Sequence, residues 1–200
     1  MFGNDAGLSR RSALTAGGAA LAAILGLTGC AQEDDLAKQA KAGDNKNYVA
    51  GDGSVTEFAA ADRKKPVEIK GTLFDGTTVT ASQFQGKVTV LNFWFAACAP
   101  CRVEHPSLEA LSKQGIKIYG VNYKDQLEHA RAFLEELGDP YTALGRDEQG
   151  RMALEWGVYG VPETYVIDGQ GKIILRFAGP ITQRVMETTL AEAIKKARGN

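Results

Sequence analysis

Cysteine and histidine are scarce in this chain of 200 residues, which contains three cysteines and two histidines. Two of the cysteines, Cys98 and Cys101, form a C-x-x-C pair, and the chain has no second pair of this kind. The only histidines are His105 and His129. A structural zinc site needs four ligands with characteristic spacing, so the sequence favours a redox pair of thiols over half of a metal site.

A basic excess and a long apolar run are also missing. The formal net charge is −1, which leaves no surplus of lysine and arginine to neutralise nucleic-acid phosphates. After residue 30, no apolar run is long enough to span a bilayer. Charged residues make up 24% of the chain and hydrophobic residues 44%, as is ordinary for a soluble globular domain. The length allows one such domain with additional segments.

The first thirty residues have the pattern of an export signal. Arg10 and Arg11 precede an uncharged stretch rich in Ala, Gly and Leu, which ends in Leu27-Thr-Gly-Cys30. These last four residues resemble a bacterial lipobox, whose cysteine becomes a diacylated N-terminus, and two acyl chains suffice for stable anchoring. We therefore predict an export signal at 1–29, of the Sec or the twin-arginine type, and lipidation at Cys30. The alternative is an uncleaved signal anchor with an incidental cysteine.

Residues 30–65 are predicted to be a flexible, lipid-anchored tether. This segment is rich in Ala, Asp, Lys and Gly and shows no sustained hydrophobic period. A spacer of this composition holds a domain some tens of ångströms away from a membrane surface.

From residue 66 to residue 200, strand-like and helix-like segments alternate. Asp75-Gly76 separates two short strand patterns and predicts a hairpin. Residues 88–95 are almost continuously apolar, as expected for a central strand covered on both faces. The order is β–α–β–α–β–β–α, which predicts an α/β domain of thioredoxin type, with a central mixed sheet flanked by helices and an N-terminal β-hairpin extension. Further strands are predicted at 116–122, 141–144, 164–167 and 172–177, and helices at 99–114, 125–137, 149–156 and around 185–194.

Apolar spacing within the helices predicts their buried faces. In the helix after Cys98, these are Val103, Leu108 and Leu111. Asp125 is predicted to cap the next helix. The buried face of that helix is predicted to consist of Leu127, Ala130, Leu134 and Leu137.

The two thiols of the C-x-x-C pair lie where a strand ends and a helix begins. The N-terminus of a helix favours a thiolate on the first sulfur, and the thiolate is the attacking species in thiol–disulfide exchange. Cys98 is therefore the predicted nucleophile, and Cys101, one helical turn later, is predicted to resolve the mixed disulfide.

Three motifs give the domain a family resemblance. They are Val90-Leu-Asn-Phe-Trp-Phe-Ala-Ala-Cys-Ala-Pro-Cys-Arg-Val-Glu104, Gly120-Val-Asn-Tyr-Lys-Asp125 and Gly157-Val-Tyr-Gly-Val-Pro-Glu-Thr164. Together they resemble the membrane-tethered, extracytoplasmic thioredoxin-like reductases of the ResA, TlpA and CcmG (DsbE) group, and most closely the CcmG branch. The resemblance implies reduction of disulfides in apocytochrome c, or in a partner that handles it. A membrane thiol carrier would be the electron donor, and no cofactor is implied.

The resemblance also implies roles for individual residues. Pro162 is expected to be a cis proline packed against the disulfide, and the Val161 backbone is expected to pair with a client as an added strand. By the same analogy Cys98 is the more exposed thiol. Trp94 and Glu163 are expected around the site and its groove.

Asn92 stands where thioredoxin has a buried carboxylate that moves the proton of its second cysteine. Asn92 cannot titrate, so another group must take that task. Glu104 lies on the same helix face as Cys101, at a position that is acidic in the resembling family, and Glu163 is a second candidate. The alternative for Glu104 is a solvated surface position. For His105 we expect a structural role.

Three other functions share these features. The same fold oxidises or isomerises disulfides of exported proteins if its reduction potential and its recharging partner differ. A peroxidase is disfavoured, because peroxiredoxins place Thr three residues before the reactive cysteine and Phe95 occupies that position. A metal or haem chaperone would use the same dithiol, but only His105 is available beside it.

Overall fold

The computed structural model describes residues 51–63, 71–79, 83 and 85–199. The predicted export signal, Cys30 and most of the predicted tether lie outside these residues. Within the described part of the chain, eight strands form one mixed sheet. In chain order they are β1 Ser54–Glu57, β2 Gly71–Leu73, β3 Thr78–Val79, β4 Thr89–Trp94, β5 Lys117–Tyr123, β6 Ala143–Asp147, β7 Glu163–Ile167 and β8 Ile173–Ala178.

Four helical segments connect and cover these strands. The first three are α1 Ala99–Lys113, α2 Leu127–Leu137 and α3 Arg151–Trp156. The last, α4, consists of Gln183–Val185, a π-helical stretch Met186–Leu190, and Ala191–Ala197. In the part of the chain that the structure describes, none of the helices has the length and apolar character needed to cross a bilayer.

The sheet order is β1-β8-β7-β4-β5-β6-β2-β3, with β4 at the centre. All six residues of β4 are buried, and β4 pairs in parallel with β5 and antiparallel with β7. Because both faces of this strand are buried, its sequence is mostly apolar instead of alternating between apolar and polar residues. The α/β fold and its central strand are confirmed, and so is the hairpin, in which β2 pairs with β3 around Asp75-Gly76.

The register of the central strands gathers the three motifs at one end of the sheet. Trp94 at the end of β4 is opposite Asn122 in β5, and Phe93 is opposite Glu163 in β7. The loop that carries the cysteines, the loop after β5 and the loop before β7 therefore meet.

The first strand corrects the predicted boundary of the tether. Ser54–Glu57 pairs antiparallel with β8, from Ser54 opposite Ala178 to Glu57 opposite Leu175. The prediction of a flexible tether up to residue 65 is therefore wrong for these four residues. All four are exposed. Backbone hydrogen bonds to a sheet edge, rather than burial of an apolar face, hold the strand, so it leaves no hydrophobic period in the sequence.

Two helix predictions are also wrong in detail. Val103 is 37% exposed, whereas Leu108 and Leu111 are buried as predicted. The N-cap of α2 is Gln126, and no side chain caps the helix there. The buried residues of α2 are Ala130, Phe133 and Leu134. Phe133 was not in the predicted set, but it follows Ala130 by three residues and therefore lies on the same helix face.

Candidate active site

Cys98 and Cys101 are joined by a disulfide at the junction of β4 and α1. Cys98 is the N-cap residue of α1, and its Sγ accepts a hydrogen bond from the backbone N–H of Cys101 at 3.1 Å. Pro100 lies in the first turn of the helix, where a missing N–H costs no intrahelical bond. The sulfur of Cys98 is thus in the position where helix N-H groups stabilise a thiolate.

Both cysteines are covered by protein in this oxidised state. Cys98 is 0% exposed and Cys101 is 2% exposed, so the expectation that Cys98 is the more exposed residue is wrong here. Its cover includes the loop before β7, where the carbonyl oxygen of Val161 lies 3.9 Å from Cys98 Sγ. The peptide bond between Val161 and Pro162 is cis, as the motif predicted.

Backbone contacts from β8 and β1 hold the cis-proline loop. The N–H of Gly179 donates to the Pro162 carbonyl oxygen at 2.9 Å, and the N–H of Gly53 donates to the Ala178 carbonyl oxygen at 2.6 Å. Gly51 lies so close that a Cβ on it would be 2.4 Å from the Gly179 nitrogen. The chain therefore enters the domain beside the cis-proline loop, at the active-site end of the sheet.

Asp125 fixes the loop that precedes Cys98 instead of capping α2. Its Oδ2 accepts hydrogen bonds from the Ala96 N–H at 2.8 Å and from Asn122 Nδ2 at 3.1 Å. Its Oδ1 accepts from the Gln126 N–H at 2.8 Å. The second motif is thereby tied to the loop before the first cysteine.

Glu104 is fully buried, one helical turn after Cys101. Its Oε1 accepts a hydrogen bond from Asn92 Nδ2 at 2.8 Å, and its Oε2 accepts one from the Ile181 N–H at 3.1 Å. Burial raises the pKa of Glu104 to about 8, although both hydrogen bonds act in the opposite direction. The side chain is therefore not on a solvated face, and it changes protonation near neutral pH.

Asn92 connects Glu104 to two hydroxyl groups. Its Nδ2 also lies 3.1 Å from Thr164 Oγ1, and its Oδ1 accepts a hydrogen bond from the Tyr141 hydroxyl at 3.0 Å. Burial raises the pKa of Tyr141 well above its ordinary value, and the charges of Glu104 and Asp139 add to this effect. The hydroxyl of Tyr141 thus stays protonated while Glu104 titrates.

Glu163 is also buried, but it is paired with a cation. Arg176 Nε lies 2.6 Å from Glu163 Oε1, and its second guanidinium nitrogen donates to Oε2 at 3.0 Å. The Tyr165 hydroxyl contacts the same carboxylate, and Arg176 also donates to the Gly157 carbonyl oxygen at 3.1 Å. The ion pair raises the pKa of Arg176. Glu163 is 1% exposed, so the expectation that it lies along a groove is wrong. Its carboxylate turns inward because its partner Arg176 lies in the neighbouring strand β8, and the pair braces the cis-proline loop from inside.

Trp94 is a packing residue rather than part of an open groove. It is 1% exposed, and its ring lies against Phe133 and Tyr141 with centroid distances of 4.9 and 5.5 Å. Val161 is likewise buried, in the same core cluster as the two cysteines, so its side chain does not line an open groove either. His105 bonds through Nε2 to the Gly138 carbonyl oxygen at 2.9 Å, and burial lowers its pKa. A neutral His105 therefore ties α1 to the end of α2.

Sequence reasoning did not identify Tyr141, Thr164 or Arg176 as parts of the site. Tyr141 is 49 residues from Asn92, and Thr164 is 72 residues from it, so no local spacing connects them. Arg176 gives the one usable signal, because it is the only charged residue in the otherwise apolar strand β8. In the described residues, no three His, Cys, Asp or Glu side chains are grouped so that they could hold a metal ion.

Comparison with known proteins agrees with this geometry. The model of the Redoxin family matches residues 59–194. The thiol:disulfide interchange protein CycY of Rhizobium leguminosarum is 40% identical over 147 residues, which cover 73% of this chain and 77% of CycY. The chain belongs to the redoxin family. It is a thiol-disulfide oxidoreductase of the group of thiol:disulfide interchange proteins, as the three motifs predicted.

A further relative and a solved structure show how far the likeness extends. The thiol:disulfide interchange protein HelX of Rhodobacter capsulatus is 55% identical over 101 residues, which are 50% of this chain and 57% of HelX. Among solved structures, a DsbF homologue from Corynebacterium diphtheriae superposes with a TM-score of 0.63 at 25% identity, over 71% of this chain and 92% of that one. The redoxin fold of this chain is thus shared over most of the described residues.

Proposed function

We propose that this oxidoreductase reduces disulfides outside the cytoplasm, with the haem-binding cysteines of apocytochrome c, or a partner that carries them, as clients. The observation that carries the proposal is the full burial of Glu104, three residues after Cys101 on the same helix. A strongly oxidising pair owes its potential to a stabilised thiolate in the reduced form. An ionisable carboxylate next to the pair works against a thiolate and favours the reducing direction.

The reaction begins with the reduced pair. The Cys98 thiolate attacks a client disulfide and forms a mixed disulfide, and the released client sulfur takes up a proton. Cys101 then loses its proton to the Glu104 carboxylate and attacks Cys98 Sγ. The bond between Cys98 and the client breaks, the second client sulfur leaves as a thiolate and takes up a proton from solvent, and the disulfide between Cys98 and Cys101 forms. The client gains two electrons, the protein loses two, and Glu104 later returns its proton to solvent.

Client binding is proposed to use the cis-proline loop. The carbonyl oxygen of Val161 lies 3.9 Å from Cys98 Sγ, and both residues are 0% exposed in the oxidised protein, so pairing of this backbone with an extended client segment requires the cover over the loop to open. Tyr159, two residues earlier, is 82% exposed and supplies an apolar surface beside this edge. An extended segment with an apolar side chain near its disulfide would fit both features.

A lipid anchor at Cys30 is proposed to keep the site close to the membrane. Because the chain enters the domain beside Gly179 and Pro162, a tether leaves from the active-site end of the sheet. This placement suits exchange with a membrane-bound thiol carrier. Intact mass and detergent partitioning of the wild-type protein should show a diacylated form, and Cys30→Ala should release it. A soluble wild-type protein that begins elsewhere would refute the anchor.

Trapping and redox titration test the proposed direction together. Cys101→Ser should accumulate mixed disulfides with an oxidised peptide that contains a C-x-x-C-H haem-attachment motif, and Cys98→Ser should accumulate few. The wild-type protein, equilibrated with a glutathione couple, should reduce that peptide rather than oxidise its dithiol form. Faster oxidation than reduction would favour the alternative, a thiol oxidase or isomerase. Equal trapping by both variants would reverse the roles of the cysteines.

A further inference from the structure

We propose that the Asn92 side-chain amide turns over when Glu104 takes up a proton, so that one positioning residue serves both protonation states of the buried acid. This inference deepens the proposed function and rests on the role given there to Glu104. Asn92 itself contacts no client and transfers no proton. It acts only through Glu104.

The arrangement in the structure suits the ionised form of Glu104. Asn92 Nδ2 donates to Glu104 Oε1 at 2.8 Å and to Thr164 Oγ1 at 3.1 Å, while Asn92 Oδ1 accepts from Tyr141 at 3.0 Å. The Ile181 N–H donates to the other carboxylate oxygen at 3.1 Å. Both oxygens of Glu104 thus face a donor.

Protonation of Glu104 makes this arrangement unfavourable. The proton on Oε1 would meet the Asn92 N–H₂ group, so two donors would point at each other inside a fully buried site. The Ile181 N–H belongs to the backbone and cannot turn. The Asn92 amide can, because its oxygen and nitrogen ends have nearly the same shape.

After a half-turn of the amide, all three contacts can be made again. Asn92 Oδ1 then accepts from the protonated Glu104 Oε1 and from the Thr164 hydroxyl, and Asn92 Nδ2 donates to the Tyr141 oxygen. This works because the partners at both ends are hydroxyl groups, which donate or accept as required. A carbonyl or an ammonium group in place of Tyr141 or Thr164 would have fixed the amide in one orientation.

The groups that titrate around Asn92 do not interfere near neutral pH. The two cysteines are joined in a disulfide and do not titrate in the oxidised protein. Tyr141 keeps its proton because its pKa is raised well above 10, by burial first and by the charges of Glu104 and Asp139 next. Glu104, with a pKa of about 8, is therefore the group whose protonation the amide follows.

Nuclear magnetic resonance of the oxidised full-length protein tests the turnover. The protein is labelled with ¹⁵N at asparagine side chains and ¹³C at glutamate, and its spectra are recorded between pH 6 and pH 10. Nuclear Overhauser contacts of the Asn92 amide protons should move from the Thr164 methyl group at high pH to the Tyr141 ring at low pH. Their midpoint should equal that of the Glu104 carboxyl carbon. Asn122, which donates to Asp125, is the internal control and should not change with that midpoint.

The Glu104→Gln variant supplies the matched comparison. Its side-chain amide donates to Asn92 Oδ1 at every pH, so Asn92 should keep the turned-over contacts, with the Tyr141 ring, from pH 6 to pH 10. Wild-type contacts that stay unchanged while Glu104 titrates would overturn the inference, and so would a Glu104 carbon that does not titrate in this range. Failure of the proposed proton transfer is a separate result, since it would appear in the reduced protein as equal thiol reactivity of wild type and Glu104→Gln.

Discussion

Two buried carboxylates belong to the segments that carry the disulfide and the cis proline, and the protein holds them in different ways. Glu104, on α1, has only neutral donors, which are an amide nitrogen and a backbone N–H. Glu163, next to the cis proline, has a guanidinium group 2.6 Å away. Both side chains are at most 1% exposed, so burial does not distinguish them.

The difference in hydrogen-bond partners indicates which of the two buried acids can exchange a proton. A carboxylate with a cation beside it has its charge compensated, and its loss would leave the cation unpaired. For a carboxylate with only neutral donors, hydrogen bonds offset the desolvation of the charge in part, so it holds a proton up to a much higher pH. Glu104 is therefore suited to proton transfer, and Glu163 to bracing the loop before β7. Three experiments test this difference between the two acids.

The largest expected effect is the pH dependence of stability in the oxidised protein. The pKa of Glu104 is 4.5 without burial and about 8 in the folded state. Between these values the unfolded chain loses the proton and the folded protein keeps it, so the contribution of Glu104 to stability is fully present below pH 4.5 and is lost as pH rises to about 8. The expected loss is about 1.4 kcal/mol per pH unit, or about 5 kcal/mol over the window.

Urea unfolding of the oxidised wild type and of Glu104→Gln, at several pH values from 4.5 to 8.5, measures this effect. The difference between their unfolding free energies isolates Glu104, because the other groups titrate alike in both proteins. Glu163→Gln is the matched control and should not remove the slope. A difference that stays constant with pH would show that Glu104 is not held as an acid by burial.

Removal of the cation should have the next largest effect. Arg176→Met leaves the Glu163 charge buried without its partner, which should lower the unfolding free energy by about 3 kcal/mol at pH 7. Arg176→Lys keeps a positive charge and should lose clearly less. Chemical denaturation of the three proteins gives the comparison. A loss below about 1 kcal/mol for Arg176→Met would mean that the ion pair contributes no more than a surface pair.

The sequence predicts well those features that depend on one local pattern. The six buried residues of β4 are mostly apolar, and the C-x-x-C pair marks the start of α1. The cis peptide before Pro162 followed from a motif that is contiguous in sequence. For the strand and the helix start, a single short segment contains the physical reason for the structure, whereas the cis proline was implied by the family resemblance of its motif.

Features that depend on distant partners were not predictable in the same way. Asp125 looked like a helix cap because caps are local, yet its carboxylate holds Ala96, 29 residues earlier. Ser54–Glu57 looked like tether because its strand is exposed and defined only by β8. The burial of Glu104 depends on Asn92 and on Ile181, which is 77 residues away. Such contacts exist only once the fold is formed.

The smallest expected effect concerns the thiols themselves. In the reduced protein an ionisable Glu104 disfavours a thiolate nearby, so Glu104→Gln should lower a cysteine pKa by roughly one unit, which corresponds to about 1.4 kcal/mol. Alkylation rates of reduced wild type, Glu104→Gln and Glu163→Gln are measured against pH. The profile of Glu104→Gln should shift to lower pH and become simpler, because one coupled titration is removed. The profile of Glu163→Gln should stay closer to wild type, since Arg176 compensates that carboxylate. If Glu163→Gln shifts the profile and Glu104→Gln does not, the carboxylate beside the cis proline is the one coupled to the thiols. The hydrogen-bond partners of the two acids would then not determine which of them exchanges a proton.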